Sequence, residues 1–138
     1  MLEFRVATES EWSKLYEAEA KFNGGNPSAL TELRNGLVSG ITTGFFVEDD
    51  GEVICCSRMT IRDGVALWDG LSGNFRGNCY QYGHYLFREM KNWMVSNHPE
   101  VKKFYCQVQC SNPHWKALIR MYEGWGFNQY SVNLVGEV

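Results

Sequence analysis

The sequence predicts one α+β or α/β domain over residues 1–138, with a mixed, mostly antiparallel sheet and helices covering its faces. Its 138 residues, 44% apolar and 21% charged, have the size and balance of one compact domain. Three β-rich runs separated by Asp-Gly turns predict an antiparallel meander. Helical periodicity on either side of this meander predicts helices that pack on a sheet.

The N-terminal part of the chain predicts a strand followed by two helices. Residues 2–7 alternate apolar and polar side chains, as in a short strand. Thr8 and Glu11 have the spacing of a capping box, with Thr8 as the N-cap, so we expect a helix to begin here. The Asn-, Gly- and Pro-containing segment 23–27 ends that helix, and a second one is predicted over residues 28–37.

The middle of the chain predicts three consecutive strands. Residues 43–47 and 52–61 are β-rich and flank a turn that contains Asp50-Gly51. A second Asp-Gly pair, at positions 63 and 64, precedes a third strand over residues 65–71. The three strands are therefore expected to run as an antiparallel meander.

The last third alternates between helix and strand. Helical periodicity predicts a helix over residues 81–95, and β-rich composition predicts a strand over 104–110. A second helix is predicted over residues 114–123, and a last strand over 127–134. The complete order is β-α-α-β-β-β-α-β-α-β.

The charge of the chain is unevenly distributed. Residues 1–70 contain 6 basic and 12 acidic side chains, whereas residues 71–138 contain 7 basic and 4 acidic ones. An acidic first half favours a cationic partner, but the basic residues form no dense cluster, so nucleic acid is not expected as a partner.

Cysteine and histidine spacing argues against a disulfide scaffold and against a metal site. The five cysteines are odd in number and form no C-x-x-C pair, and the three histidines are scattered over the predicted elements. The N-terminus lacks a signal-peptide pattern, and no apolar run approaches the ~18 residues of a membrane span. We therefore expect reduced thiols, no metal, no membrane segment and a cytoplasmic location.

Three segments, in this order and spacing, resemble the Gcn5-related N-acetyltransferase (GNAT) superfamily. They are FRVATESEW at the start, FFVEDDGEVICCS in the first hairpin and MYEGWGF near the end. The resemblance implies a GNAT fold, acetyl-CoA as cosubstrate and direct transfer of an acetyl group to an amine. The acceptor, a small molecule or a protein, is not specified, and a homodimer is left open.

The acetyl-CoA loop of that family corresponds without gaps to residues 71–83. At a glycine-rich turn into a helix, backbone N–H groups and the helix dipole hold the cofactor's pyrophosphate. The resemblance implies that Leu71, Ser72 and Gly73 pair with the pantetheine. It also implies that Gln81, Tyr82 and Gly83 lie near the pyrophosphate.

Four positions of this loop depart from the family's pattern. Gly73 replaces Val, Phe75 replaces Pro, Asn78 replaces Arg or Gln, and Gln81 replaces the first Gly. A second register, with Arg76-Gly77 on the family's Arg-Gly pair, needs two extra residues before the helix. Such loops are similar to those of small GNAT-like proteins of tailed bacteriophages. That likeness implies an alternative function, an inactive protein that acts in virion assembly or host modulation through protein contacts.

Three further residues have positions that the family uses in catalysis or cofactor binding. Tyr122, four residues before Gly126, corresponds to the general acid that protonates the leaving thiolate, or is a core aromatic residue of its helix. Asp69 corresponds to the general base on the central strand, or is a carboxylate at the strand end. Asn112 corresponds to a pantetheine ligand, or is the N-cap of a helix that starts with Pro113.

Overall fold

The computed structural model describes residues 1–23, 27–73, 79–108 and 114–129, in two compact units, Met1–Gln107 and Val108–Val138. In the first unit, the described elements are β1 (Leu2–Val6), α1 (Trp12–Asn23), α2 (Pro27–Ser39), β2 (Thr42–Asp49), β3 (Glu52–Arg62), β4 (Val65–Gly73), α3 (Cys79–Asn97) and β5 (Lys103–Cys106). In the second unit the described element is α4 (Trp115–Gly124). The predicted order of the first nine elements is confirmed.

The sheet is mixed and mostly antiparallel, as predicted. Its strands lie in the order β1-β2-β3-β4-β5, and each neighbouring pair is antiparallel except β4 and β5, which are parallel. The Asp-Gly turns have the positive φ angles that a tight hairpin requires: 50° and 84° at Asp50 and Gly51, and 53° and 74° at Asp63 and Gly64.

Helices cover both faces of this sheet, and two adjacent residues of β2 show it. Phe46 is fully buried in one cluster with Leu15 of α1 and Leu33 of α2. Phe45 packs instead against Trp93 of α3, with ring centroids 5.0 Å apart. Because successive side chains of a strand point to opposite faces, α1 and α2 lie on one face of the sheet and α3 on the other.

The predicted capping box is confirmed. The Glu11 carboxylate accepts hydrogen bonds from the backbone N–H of Thr8 at 3.2 Å and from the Thr8 hydroxyl at 3.0 Å. It also forms a 2.8 Å ion pair with Arg5. The first turn, Glu9–Glu11, is a 3₁₀ turn, and α1 follows it directly.

Three predictions in the last third need correction. The strand predicted over residues 104–110 ends at Cys106, because Gln107 and Val108 do not pair with β4; residues 109–113 lie outside the described part. The N-cap of α4 is His114, whose φ of −103° and ψ of 16° are not helical, so Asn112 is not the N-cap. Residues 127–129 are not a strand, and the rest of that prediction lies outside the described residues.

Within the described part, no helix is both long and apolar enough to cross a lipid bilayer.

Candidate functional site

The parallel pair of strands opens at its carboxyl end. Residues 65–68 of β4 pair with residues 103–106 of β5, but β4 continues to Gly73 whereas β5 ends at Cys106. Among the described residues, the last part of β4 therefore has no partner on the β5 side. In open sheets with parallel strands, ligands bind in the crevice at the carboxyl ends of the strands.

β4 carries one extra residue just where this opening begins. In the ladder with β3, Asp69 is opposite Arg58 and Ser72 is opposite Cys56. Three steps along β4 therefore match two steps along β3, which is a β-bulge at positions 70 and 71. A bulge interrupts the ladder and turns the strand locally. The predicted pantetheine segment, Leu71 to Gly73, begins inside this bulge.

Gly73 has a steric reason to be glycine in this chain. A β-carbon at this position would lie 2.8 Å from Cβ of Cys55 and 2.9 Å from the carbonyl oxygen of Ile54. The end of β4 thus approaches β3 too closely for any side chain. This contact gives a steric reason for glycine at a position where the GNAT loop pattern that the segment resembles has valine.

Cys55 brings the end of β4 and the beginning of α3 together. It is paired with Gly73 in the ladder, and its thiol donates a hydrogen bond to the carbonyl oxygen of Tyr82, with an Sγ–O distance of 3.7 Å. Gly83 follows and is buried. Two predicted cofactor residues, Gly73 and Tyr82, are therefore close to the same thiol. Sequence reasoning did not single out Cys55.

α3 offers an N-terminus suited to an anion. It begins at Cys79, runs for 19 residues and has no acidic residue in its first turn. Gln81 lies in that first turn. The free N–H groups and the positive end of the helix dipole favour a phosphate at such a place. Residues 74–78, with the alternative Arg76-Gly77 register, and Asn112 lie outside the described part.

Three buried charged residues that sequence reasoning missed lie on the α1 and α2 face. Arg58 of β3 is only 8% exposed, Glu19 of α1 only 5%, and Glu48 of β2, which forms a 2.6 Å ion pair with Lys14 of α1, only 7%. Burial raises the pKa of the Cys56 thiol, the Glu19 charge raises it further, and the Arg58 charge lowers it, so both charges act on the same thiol. The sequence did contain a signal for this, namely an arginine in the middle of the predicted strand over residues 52–61. Charged residues are rarely buried unless they are paired, so an arginine at a central strand position indicates a polar contact inside the protein.

A groove of about 1010 Å³ lies between α2 and the sheet on this same face. One wall is the α2 face that carries hydroxyl, amide and carboxyl groups, and the floor consists of residues at the start of β2, the end of β3 and the start of β4. The wall residues are Pro27, Ser28, Thr31, Glu32, Asn35, Gly36 and Ser39, and the floor residues are Ile41, Thr42, Thr60, Arg62, Val65 and Leu67.

Tyr122 is a buried residue of the second unit, where it closes the C-terminal turn of α4. The Phe127 N–H donates to the Tyr122 carbonyl oxygen and the Gly126 N–H donates to the Glu123 carbonyl oxygen, each at 3.0 Å. With Gly126 at a φ of 101°, this is a Schellman motif. The Tyr122 ring packs edge-on against the rings of Trp125 and Phe127, which is the packing of a core aromatic residue. The MYEGWGF segment is therefore a helix-ending motif.

No protein-family model matches the sequence, and no curated protein matches it. Solved structures of N-acetyltransferases do match. An aminoglycoside N-acetyltransferase in complex with CoA has a TM-score of 0.77 at 11% identity, over 100% of this chain and 95% of that one. The aminoglycoside 6′-N-acetyltransferase of Acinetobacter baumannii has a TM-score of 0.73 at 14% identity, over 100% and 99%. The ribosomal-protein-S18-alanine N-acetyltransferase of Escherichia coli has a TM-score of 0.72 at 16% identity, over 95% and 80%. The chain therefore has the GNAT fold that the three sequence segments implied.

Proposed function

We propose that this protein is an acetyl-CoA-dependent N-acetyltransferase that transfers the acetyl group directly to an amine. The observation that carries the proposal is the opening between β4 and β5, which begins at the bulge of β4 and lies next to the first turns of α3. The fold adds support, because the matching solved structures are N-acetyltransferases and one of them is a complex with CoA.

The residues around the opening fit a cofactor that has amide groups and a pyrophosphate. Beyond position 68, the β4 backbone has no β5 partner among the described residues, so Leu71, Ser72 and Gly73 can pair with the amides of a pantetheine chain. The first turn of α3, which contains Gln81, provides free backbone N–H groups for the pyrophosphate, and Tyr82 and Gly83 follow in the next turn beside it. Acetyl-CoA supplies an activated thioester, which the amine attacks at the carbonyl carbon and from which the sulfur leaves as thiolate.

Two side chains would move the protons of this reaction. Asp69, in β4 at the edge of the bulge, takes the proton that the acceptor's ammonium group must lose before its nitrogen can attack. Tyr122 donates its phenolic proton to the leaving thiolate. One N–C bond forms and one C–S bond breaks. The nitrogen loses a second proton to water as the amide forms, and Tyr122 regains from water the proton that it gave to the thiolate, so one proton is released overall.

Calorimetric titration with acetyl-CoA and with CoA tests the cofactor site, and we expect micromolar binding. Tyr82→Glu places a negative charge in the first turns of α3 and should weaken binding by about tenfold or more, since it repels the pyrophosphate. Val95→Glu is the matched control, because it adds the same charge at an exposed position near the other end of α3. Its affinity should equal that of the unmodified protein.

The absence of binding would contradict the proposal. If neither ligand gives heat at several temperatures and millimolar ligand leaves the Tm unchanged, the protein does not use acetyl-CoA. The non-catalytic alternative, an interaction protein with a GNAT fold, would then be favoured, and a search for a protein partner would follow.

A further inference from the structure

β1 is the outer strand of the sheet, and its free edge is complementary to the same edge of a second copy of this chain. We infer that two copies form a homodimer in which their β1 strands pair antiparallel, centred on Phe4. The two sheets then join into one continuous sheet across a two-fold axis. This pairing does not depend on the proposed acetyl transfer, and its test needs no cofactor.

The described part of the chain leaves the outer edge of β1 open. Within the described residues, β2 is the one strand that pairs with β1. Helices α1, α2 and α3 pack mainly on β2, and α1 and α3 also pack on β3 and β4. An open edge strand presents backbone N–H and C=O groups that can pair with a strand of another chain.

The ladder between β1 and β2 shows which backbone groups point to this edge. The Ala7 N–H donates to the Gly44 carbonyl oxygen at 2.9 Å, and these residues are opposite each other because Val6 is opposite Phe45. Opposite pairs of an antiparallel ladder alternate between hydrogen-bonded and non-hydrogen-bonded ones. Odd-numbered residues of β1 therefore bond to β2, and even-numbered ones turn their N–H and C=O groups outwards. The outward residues are Leu2, Phe4 and Val6.

The charges of β1 select one register for two antiparallel copies. At least two outward residues of each copy find partners only when the strands are centred on Glu3, Phe4 or Arg5. A centre at Glu3 places it opposite the partner's Glu3, and a centre at Arg5 places it opposite the partner's Arg5. Like charges in opposite positions destabilise a ladder. A centre at Phe4 instead places Glu3 opposite the partner's Arg5 on both sides of the axis.

The register centred on Phe4 also uses the whole edge. Phe4 lies opposite the partner's Phe4, and Leu2 lies opposite the partner's Val6, so every outward residue exchanges backbone hydrogen bonds with the other copy. On the α3 face, Phe4 stacks on Phe45 with ring centroids 5.8 Å apart. The paired Phe4 rings continue this apolar row into the second copy.

Glu3 and Arg5 are exposed enough to reach the partner on the other face, where Arg5 is opposite Phe46. Their side chains are 62% and 40% exposed and form a 3.3 Å ion pair within one chain. Arg5 also forms a 2.8 Å ion pair with Glu11, which limits the positions of its guanidinium. In the dimer each Arg5 gains the partner's Glu3 as a neighbour, so the four charges alternate in sign around the axis.

Sedimentation velocity over a range of protein concentrations tests the pairing. We expect the unmodified protein to change from monomer to dimer between about 1 µM and about 1 mM, because one short strand makes a weak interface. Glu3→Lys places like charges opposite each other on both sides of the axis and should raise the dimer Kd roughly tenfold or more. Glu17→Lys makes the same charge change at an exposed position of α1 and is the control. Its Kd should equal that of the unmodified protein.

A mixture of two variants tests the register itself. Arg5→Glu also places like charges opposite each other and should dimerise weakly alone. When it is mixed with Glu3→Lys, opposite charges face each other again on both sides of the axis. A heterodimer should then form with a Kd near that of the unmodified protein. Because Arg5→Glu loses the ion pair with Glu11, its circular dichroism spectrum and Tm are compared with those of the unmodified protein before mixing.

Leu2→Pro tests the backbone pairing without a change of charge. It removes one outward N–H from each copy, and proline is tolerated at the first residue of an edge strand. We expect a dimer Kd roughly tenfold higher, since each dimer loses two hydrogen bonds. The circular dichroism spectrum should stay unchanged. If Arg5→Glu does not fold, Leu2→Pro and Glu3→Lys decide the question.

Two results would overturn the homodimer. One is a protein that stays monomeric up to about 1 mM. The other is a dimer whose Kd is the same in the unmodified protein, in Glu3→Lys and in Leu2→Pro, because its interface then lies on another surface. Neither result changes the expected binding of acetyl-CoA, so the two proposals are tested separately.

Discussion

Phe127 donates its backbone N–H to the Tyr122 carbonyl oxygen at 3.0 Å, and the two rings meet edge to face at 5.8 Å. Both contacts belong to the same helix-ending motif, in which a hydrophobic contact commonly accompanies the backbone hydrogen bonds. Tyr122 is thus held by its backbone and by its ring.

Substitutions at Tyr122 should separate stability from catalysis. Tyr122→Phe keeps the ring, so the free energy of unfolding should fall by no more than ~1.5 kcal/mol, the usual contribution of one hydrogen bond. The same change should lower kcat by about 10²–10⁴-fold if the hydroxyl is the general acid. Tyr122→Ala should instead cost about 3–5 kcal/mol of stability. Urea unfolding and steady-state kinetics measure the two effects, and an unchanged kcat in Tyr122→Phe would leave Tyr122 as a core residue only.

Gly73→Ala should destabilise the protein and weaken cofactor binding together. Its β-carbon would lie within 3 Å of Cβ of Cys55 and of the Ile54 carbonyl oxygen, so β3 and β4 must move apart. Overpacking of this kind costs about 1–3 kcal/mol. We expect a lower urea midpoint and a higher Kd for CoA in calorimetry. A variant that is as stable and binds as tightly as the unmodified protein would contradict the close approach of the two strands.

Gly126→Ala should be destabilising and Gly124→Ala should not. Gly126 has a φ of 101°, whereas Gly124 is helical, and neither would bring a β-carbon within 4 Å of another atom. The difference is therefore one of backbone conformation. Left-handed backbone costs a non-glycine residue about 1–2 kcal/mol, while alanine within a helix gains about 0.5–1 kcal/mol over glycine. Urea unfolding of the two variants should place their midpoints on opposite sides of that of the unmodified protein.

Stability should decline at alkaline pH because of buried thiols. Burial raises the pKa of the Cys106 thiol to about 11 from an ordinary value of 9.0. Between these values the unfolded chain has released a proton that the folded chain keeps, so the free energy of unfolding falls as the pH rises. Cys106→Ala should show a shallower decline between pH 9 and 11 in urea unfolding under reducing conditions. Identical slopes for the two proteins would exclude this contribution.

Local chemistry determined the elements that the sequence predicted well. Asp50-Gly51 and Asp63-Gly64 tolerate positive φ angles, so they mark the two hairpin turns from a few residues alone. The capping box at Thr8 and Glu11 is equally local. Most predicted ends of strands and helices lie within two residues of the observed ones.

The remaining features depend on contacts between distant parts of the chain. The predicted strand over residues 127–134 begins with Phe127, which has high β propensity, but the C-terminal motif of α4 uses this residue. The burial of Arg58 depends on the packing of helices against β3, and the opening of β4 beyond position 68 follows from the length of β5. None of these is encoded within a short window of sequence.

Because β4 contains one extra residue, its odd-numbered side chains before the bulge lie on the same face as its even-numbered side chains after the bulge. Before the bulge, odd-numbered residues such as Leu67 share a face with Arg58, whereas after it the even-numbered Ser72 shares a face with Cys56. Deleting one residue at position 70 or 71 would therefore restore the regular alternation, because Ser72 and Gly73 would keep Cys56 and Cys55 as their partners and would stay on their present faces. Such a deletion would remove the bulge and the local turn of the strand without changing which side chains of its tip share a face with β3.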